Sequence, residues 1–251
     1  MELIYGRNAV AEALRSTKAG TKVLRLYLAD GAEAKTGGTL DFALKETTAR
    51  KIPLQKLSRP ELDKRTTNAN HQGIVAEVSD YRYANLDEVL SQAADNPDAL
   101  FLILDYLQDP QNLGTLIRCA EATGVTALII PERRAAGITP AVRNASSGAV
   151  EHLHICQVVN LPRALDELKE SGVWVAGLEH EPDAQDYDRA DYTGKIGLVV
   201  GSEGAGLSRL VREKCDFFIK LPMLGRVESL NAAVAGSVAL YEILRQRRAL
   251  K

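Results

Sequence analysis

No apolar run in this chain reaches the roughly 18 residues that a membrane-spanning helix needs. The opening Met1–Val10 stretch lacks the basic-then-apolar layout of a secretory signal. Cysteine is scarce: Cys119, Cys156 and Cys215 stand far apart with no CxxC pair, which argues against a zinc site or a disulfide framework. A soluble protein of the reducing cytosol is the expectation. Charge of one sign is also missing. The formal net charge of −2 is too small to announce a nucleic-acid partner. Its distribution is less even, since residues 1–82 hold 14 Lys and Arg against 10 Asp and Glu. A slightly basic first third can supply surface that neutralises phosphate.

Helical and strand-like patterns alternate along nearly the whole chain, so an α/β fold is predicted. The first part reads as helix 7–16, strand 23–29, helix 40–51, strand 52–57, a charged helix 60–65 and strand 74–79. Residues 80–98 are polar with one short amphipathic helix, and they read as a connection between domains. From residue 99 the apolar runs strengthen at 101–105, 127–131, 174–178, 196–200 and 217–221. Such continuous runs suit strands buried on both faces of a parallel sheet. Helices are expected near 113–122, 162–171, 207–214 and 230–247. The expected organisation is a small domain over 1–79, a linker over 80–98 and a larger domain over 99–251.

Three segments carry chemistry. The first runs from Leu104 to Ala120: a strand ends at Asp105, Asp109-Pro110 turns, and a helix begins near Asn112. Asn112 and Arg118 lie at the strand's carboxyl end, the edge where open parallel sheets place their sites. Read alone, Asn112 can equally be a helix cap and Arg118 a solvated side chain. The second segment is Gly201-Ser202-Glu203-Gly204-Ala205-Gly206, directly after strand 196–200. Its GxxGxG order, late in the chain, differs from the GxGxxG of dinucleotide sites, so a nicotinamide dehydrogenase fits poorly. Glycines there let backbone approach a ligand closely. The third is Leu221 to Asn231, where Ser229-Leu230-Asn231 precedes a long final helix and Ser229 is placed to cap it.

Taken in this order, the segments resemble the SpoU (TrmH-like) branch of the SPOUT RNA methyltransferases. Asn144-Ala145-Ser146-Ser147-Gly148-Ala149 also matches that family's pattern. The opening Tyr5-Gly6-Arg7-Asn8-Ala9-Val10 and the stretch His71-Gln72-Gly73-Ile74-Val75-Ala76 resemble the subgroup that acts on guanosine in 23S ribosomal RNA. The resemblance implies a catalytic domain whose C-terminal segment forms a trefoil knot, a small RNA-recognition domain in front of it, and a homodimer. It implies S-adenosylmethionine as methyl donor and no metal, with Gly201, Leu221, Met223 and Leu230 around the cofactor. It places Asn112, Arg118, Glu203, Ser229 and Asn231 at the reacting centre.

In the family Arg118 is assigned the proton of the ribose 2′-hydroxyl. A guanidinium is always protonated, however, so gripping the adjoining phosphate and steadying the developing oxyanion suits it better. The substrate implied is ribosomal RNA. Transfer RNA, or a ribosomal site of antibiotic resistance, is the nearest alternative, and a non-catalytic ribosome-assembly factor is the alternative of another class. Two features stand apart. Ala232-Ala233 replaces the Val-Ser common in the family, a packing change, and His71 belongs to the small domain as a structural or RNA-contacting residue.

Overall fold

The computed structural model describes residues 1–16, 21–32, 35–181, 183–202, 204–227 and 229–249. They form two compact units, one of Met1–Arg82 with Ile138–His152, the other of Tyr83–Gly137 with Leu153 onward.

The first unit opens with β1 (Glu2–Tyr5), α1 (Arg7–Arg15), β2 (Val23–Ala29) and α2 (Thr39–Ala49), followed by β3 (Leu54–Leu57), α3 (Arg59–Arg65) and β4 (Ile74–Val78). Its four-stranded sheet has the order β1-β4-β2-β3, with β4 antiparallel to both neighbours and β2 parallel to β3. Strand alternation sends Leu26, Leu28, Ile74 and Ala76 to the face covered by Val10 and Leu14 of α1 and Leu40 of α2. Tyr27 and Val75 point to the other face, where Leu62 of α3 meets them. A capping box starts α3: the Ser58 backbone amide donates to Glu61 at 2.8 Å.

The second unit begins with α4 (Leu86–Gln92), β5 (Leu100–Leu104), α5 (Pro110–Ala122) and β6 (Ala127–Pro131). Leu86, Val89 and Ala93 are buried in this unit's core, and the Ala84 amide donates to Ile155 at 2.8 Å. The stretch expected as a linker is therefore folded from residue 83 onward, because its amphipathic helix buries its apolar side. Next come α6 (Pro140–Ala145) and a single 3₁₀ turn, Ala149–Glu151, both of which pack with the first unit. The chain continues through β7 (His154–Val158), α7 (Leu161–Glu170), β8 (Trp174–Leu178), the two-residue β9 (Gln185–Asp186), β10 (Ile196–Val200), α8 (Arg209–Arg212), β11 (Phe217–Lys220) and α9 (Ala232–Ala249).

The second sheet has seven strands in the order β7-β6-β5-β10-β8-β11-β9, every pair parallel. From β5 the chain steps outward to β6 and β7, then returns beyond β5 to lay down β8. The vacant position between β5 and β8 is filled by β10, all five of whose residues are buried. Open α/β sheets place ligands where the winding reverses. Here that point is the carboxyl edge of β5, β10, β8 and β11.

Candidate active site

Each sequence-derived segment leaves this edge. After β5, Asp109 takes the cap of α5 by accepting from the Asn112 amide at 2.8 Å, and Pro110 occupies the first turn. Leu113, Leu116, Ile117 and Ala120 face the core. Arg118 lies six residues beyond Asn112, ~9 Å further along the axis. It is exposed, with no hydrogen-bond or ion-pair partner among the described residues.

Helix α9 is capped by Asn231 and not by Ser229. Its Oδ1 accepts from the Ala233 and Val234 amides at 2.9 and 3.2 Å. Ser229 and Leu230 stay outside the helix and line a cavity. The other end of the Asn231 amide, Nδ2, donates to Asn112 Oδ1 at 3.0 Å. Below this link α5 and α9 pack closely: a Cβ at Gly236 would meet Leu116 at 2.8 Å and Val200 at 3.1 Å. Ala232 and Ala233 are buried there, which accounts for small residues at those positions.

After β10 the chain folds back on itself. Ser202 and Gly206 exchange two backbone hydrogen bonds of 3.1 Å, closing a tight turn with Gly204 at φ +80°. A Cβ on Gly201 would lie 2.4 Å from the Gly206 backbone, so glycine is required for the two strands of the turn to touch. Glu203 and Glu228 lie outside the described residues, so the expected catalytic role of Glu203 gains no geometry here.

This turn, the ends of β8 and β11, and Leu221, Met223, Ser229, Leu230, Ala232 and Ala235 line a half-open cavity of about 350 Å3. Gly201, Leu221, Met223, Leu230 and Ser229, all singled out from the sequence, line it together. Asn112, Arg118 and Asn231 are not lining residues, but Asn231 sits between Leu230 and Ala232, which are. Leucine and valine walls with a few polar groups suit a ligand having a flat apolar part and a polar remainder. Among the described residues no group of three His, Cys, Asp or Glu side chains could hold a metal ion.

Sequence reasoning missed Glu179 and His180, which also line the cavity from the end of β8. Glu179 Oε1 accepts from Arg212 at 2.6 Å, and the same guanidinium pairs with Glu181. Burial pushes the Glu179 carboxyl above the ordinary glutamate range, against the pull of Arg212. His71 is placed elsewhere. Its ring is buried in the first unit, accepts from the Gly73 amide at 3.0 Å and lies 3.0 Å from Asp63, so it holds the turn before β4.

Residues 99–241 match a sequence profile described as the SpoU rRNA Methylase family, and residues 3–84 match one described as RNA 2'-O ribose methyltransferase substrate binding. The Bacillus subtilis protein YacO, provisionally named a TrmH family tRNA/rRNA methyltransferase, is 43% identical over 248 residues, covering 98% of this chain and 96% of its own. Among solved structures, the SpoU methyltransferase AviRb of Streptomyces viridochromogenes, in complex with AdoMet, is similar with a TM-score of 0.81 at 26% identity, covering 98% of this chain and 90% of that one. An AdoMet-bound rRNA methyltransferase from Sinorhizobium meliloti shares the fold, with a TM-score of 0.80 at 24% identity and coverage of 98% and 87%.

Proposed function

The chain belongs to the SpoU rRNA methylase family, and from that premise we propose that it methylates a ribose 2′-hydroxyl of ribosomal RNA, a guanosine of 23S rRNA, from S-adenosylmethionine. The observation that carries this reading is the junction of the cavity with the Asn112–Asn231 pair. A donor cavity and a polar pair at two helix starts thus adjoin at one sheet edge.

The cavity fits the donor. Gly201 and Gly206 let backbone close on a ligand, Leu178, Val200 and Leu221 offer an apolar wall, and the carboxylate of Glu179 has a buried oxygen without a partner among the described residues. When bound, S-adenosylmethionine supplies an electrophilic methyl on sulfonium. The ribose oxygen forms the new C–O bond as the S–C bond breaks, leaving a neutral thioether. The protein's share is alignment of the two reactants. Asn231 and Asn112 fix the acceptor's side of the cavity. Arg118 grips the phosphate beside the target ribose and stabilises charge growing on the 2′-oxygen, while phosphate or water accepts the proton. Glu203 and Ser229 complete the expected set.

The first unit, with its excess of basic residues, holds the RNA. Val234, Val238 and Tyr241 form an exposed apolar stripe along α9, continuous with a shallow depression formed with Tyr187 and Arg245. That stripe supports a homodimer through α9. Among the described residues no helix is long and apolar enough to cross a membrane, in keeping with a cytosolic enzyme. Relatives bear names covering both tRNA and rRNA. Mapping ribose methylation across both RNA classes, in cells with and without the gene, decides between them: loss of one 23S position is expected, and loss confined to tRNA would overturn that assignment.

A further inference from the structure

The sheet order puts β8 between β10 and β11, and the residue just past its end lines the cavity. That residue is Glu179. One of its carboxylate oxygens takes Arg212 at 2.6 Å, close against Gly206, where a Cβ would come within 2.3 Å of it. The Leu207 backbone amide also donates to this carboxylate, whose second oxygen is buried and has no partner of its own among the described residues. An unmet buried acceptor is costly unless a ligand meets it. Arg212 also pairs with Glu181, so two carboxylates share one guanidinium and the cluster keeps a negative charge. Arg212 holds Glu179 in place and leaves it acceptor capacity to spare.

Position along the edge says which part of the donor it meets. The acceptor's side is marked by Asn112, which follows β5, and by Asn231. Glu179 follows β8, two strands away, and strands lie ~4.8 Å apart, giving a separation of ~10 Å. The sulfonium must face the acceptor's side, and the apolar wall of Leu178, Val200 and Leu221 beside Glu179 suits adenosine better than the charged methionine tail, so Glu179 faces the nucleoside. Resting on the function proposed above, we infer that the Glu179 carboxylate accepts hydrogen bonds from the ribose diol of S-adenosylmethionine and is a determinant of cofactor recognition.

The test is calorimetric titration of the full-length protein with S-adenosylmethionine, S-adenosylhomocysteine and the 2′,3′-dideoxy analogue of the latter. Wild-type protein is expected to bind the dideoxy analogue on the order of tenfold more weakly than S-adenosylhomocysteine, the size of a hydrogen bond to a charged group. The Glu179→Gln variant is expected to weaken S-adenosylmethionine and S-adenosylhomocysteine by the same factor and to discriminate little against the dideoxy analogue. Equal wild-type affinity for S-adenosylhomocysteine and its dideoxy analogue overturns the inference, and this arm needs no variant to fold. A loss in Glu179→Gln confined to S-adenosylmethionine also overturns it, since that marks attraction to the sulfonium. Failure of the wild type to bind either natural ligand would instead remove the methyltransferase reading itself.

Discussion

Asn231 caps α9 with one end of its side-chain amide and bonds Asn112 of α5 at 3.0 Å with the other. A single residue therefore sets both where the last helix begins and how it registers on the helix that carries Arg118. Asn231→Ala removes both functions and is expected to lower stability by about 1 kcal/mol, the usual worth of a cap. Asn112→Ala breaks the link but leaves the cap of α5 in place, because Asp109 accepts from the backbone amide of residue 112. Methyl transfer should fall on the order of a hundredfold in either variant through misplacement at the reacting centre. Chemical denaturation and single-turnover transfer measure the two effects. Equal stability loss in both variants would contradict the assignment of the cap to Asn231.

Gly201 and Gly204 belong to one turn but are constrained differently. A Cβ at Gly201 collides with the Gly206 backbone, whereas Gly204 faces open space and is held only by its positive φ. Gly201→Ala is expected to deform the cavity, abolish measurable cofactor binding and cost about 1–3 kcal/mol of stability. Gly204→Ala should cost about 1 kcal/mol with binding largely kept. Calorimetry on the two variants checks the contrast, and similar affinities in both would refute it.

Glu151 gives a pH-dependent stability with a definite sign. It is almost fully buried, 3.6 Å from Arg143 and beside the Thr21 hydroxyl, both of which favour its charged form. Burial raises its pKa from 4.5, with Arg143 opposing. A raised carboxyl contributes stability that is complete below its unfolded value and is lost as pH climbs through its folded value. The stability of wild type relative to Glu151→Gln should therefore decline as pH rises from about 4.5. Urea titrations at several pH values measure it; a relative stability that grows with pH would show that Arg143 dominates.

Burial pushes the Cys156 and Cys215 thiols up to about 12. At pH 8 their thiolate fraction is only ~10⁻⁴, so both should resist iodoacetamide until the protein unfolds. Peptide mapping after a timed reaction checks this, and rapid labelling in the native protein would contradict the buried placement of Cys156 or the raised pKa of the half-buried Cys215.

Much of the second sheet was legible because strands such as β5 and β10 are buried on both faces and read as unbroken apolar runs. β7 was not read, since as an edge strand it keeps His154 and Gln157 half-exposed and its run is interrupted. β1 and α6 are only four and six residues long, too short to show a period. Glycine spacing exposed the turn after β10, but Glu179 carries no local signal. Its place in the cavity comes from β10 lying between β5 and β8, which is a matter of chain path and not of neighbouring residues. The cap of α9 was misread for a related reason: Ser229 and Asn231 are both good caps, and Asn231 takes the place with a side chain that also bonds Asn112, a residue 119 positions away in sequence.

The central claim is that the Asn112–Asn231 junction and the adjoining cavity deliver a methyl group to a ribose oxygen. Its most direct measurement is transfer from isotopically labelled S-adenosylmethionine to ribosomal RNA, followed by digestion and nucleoside mass spectrometry. The wild-type protein should place the label on a ribose as a 2′-O-methylnucleoside, and Arg118→Ala should retain cofactor affinity while losing transfer. Label on a base, or undiminished transfer by Arg118→Ala, would contradict the account.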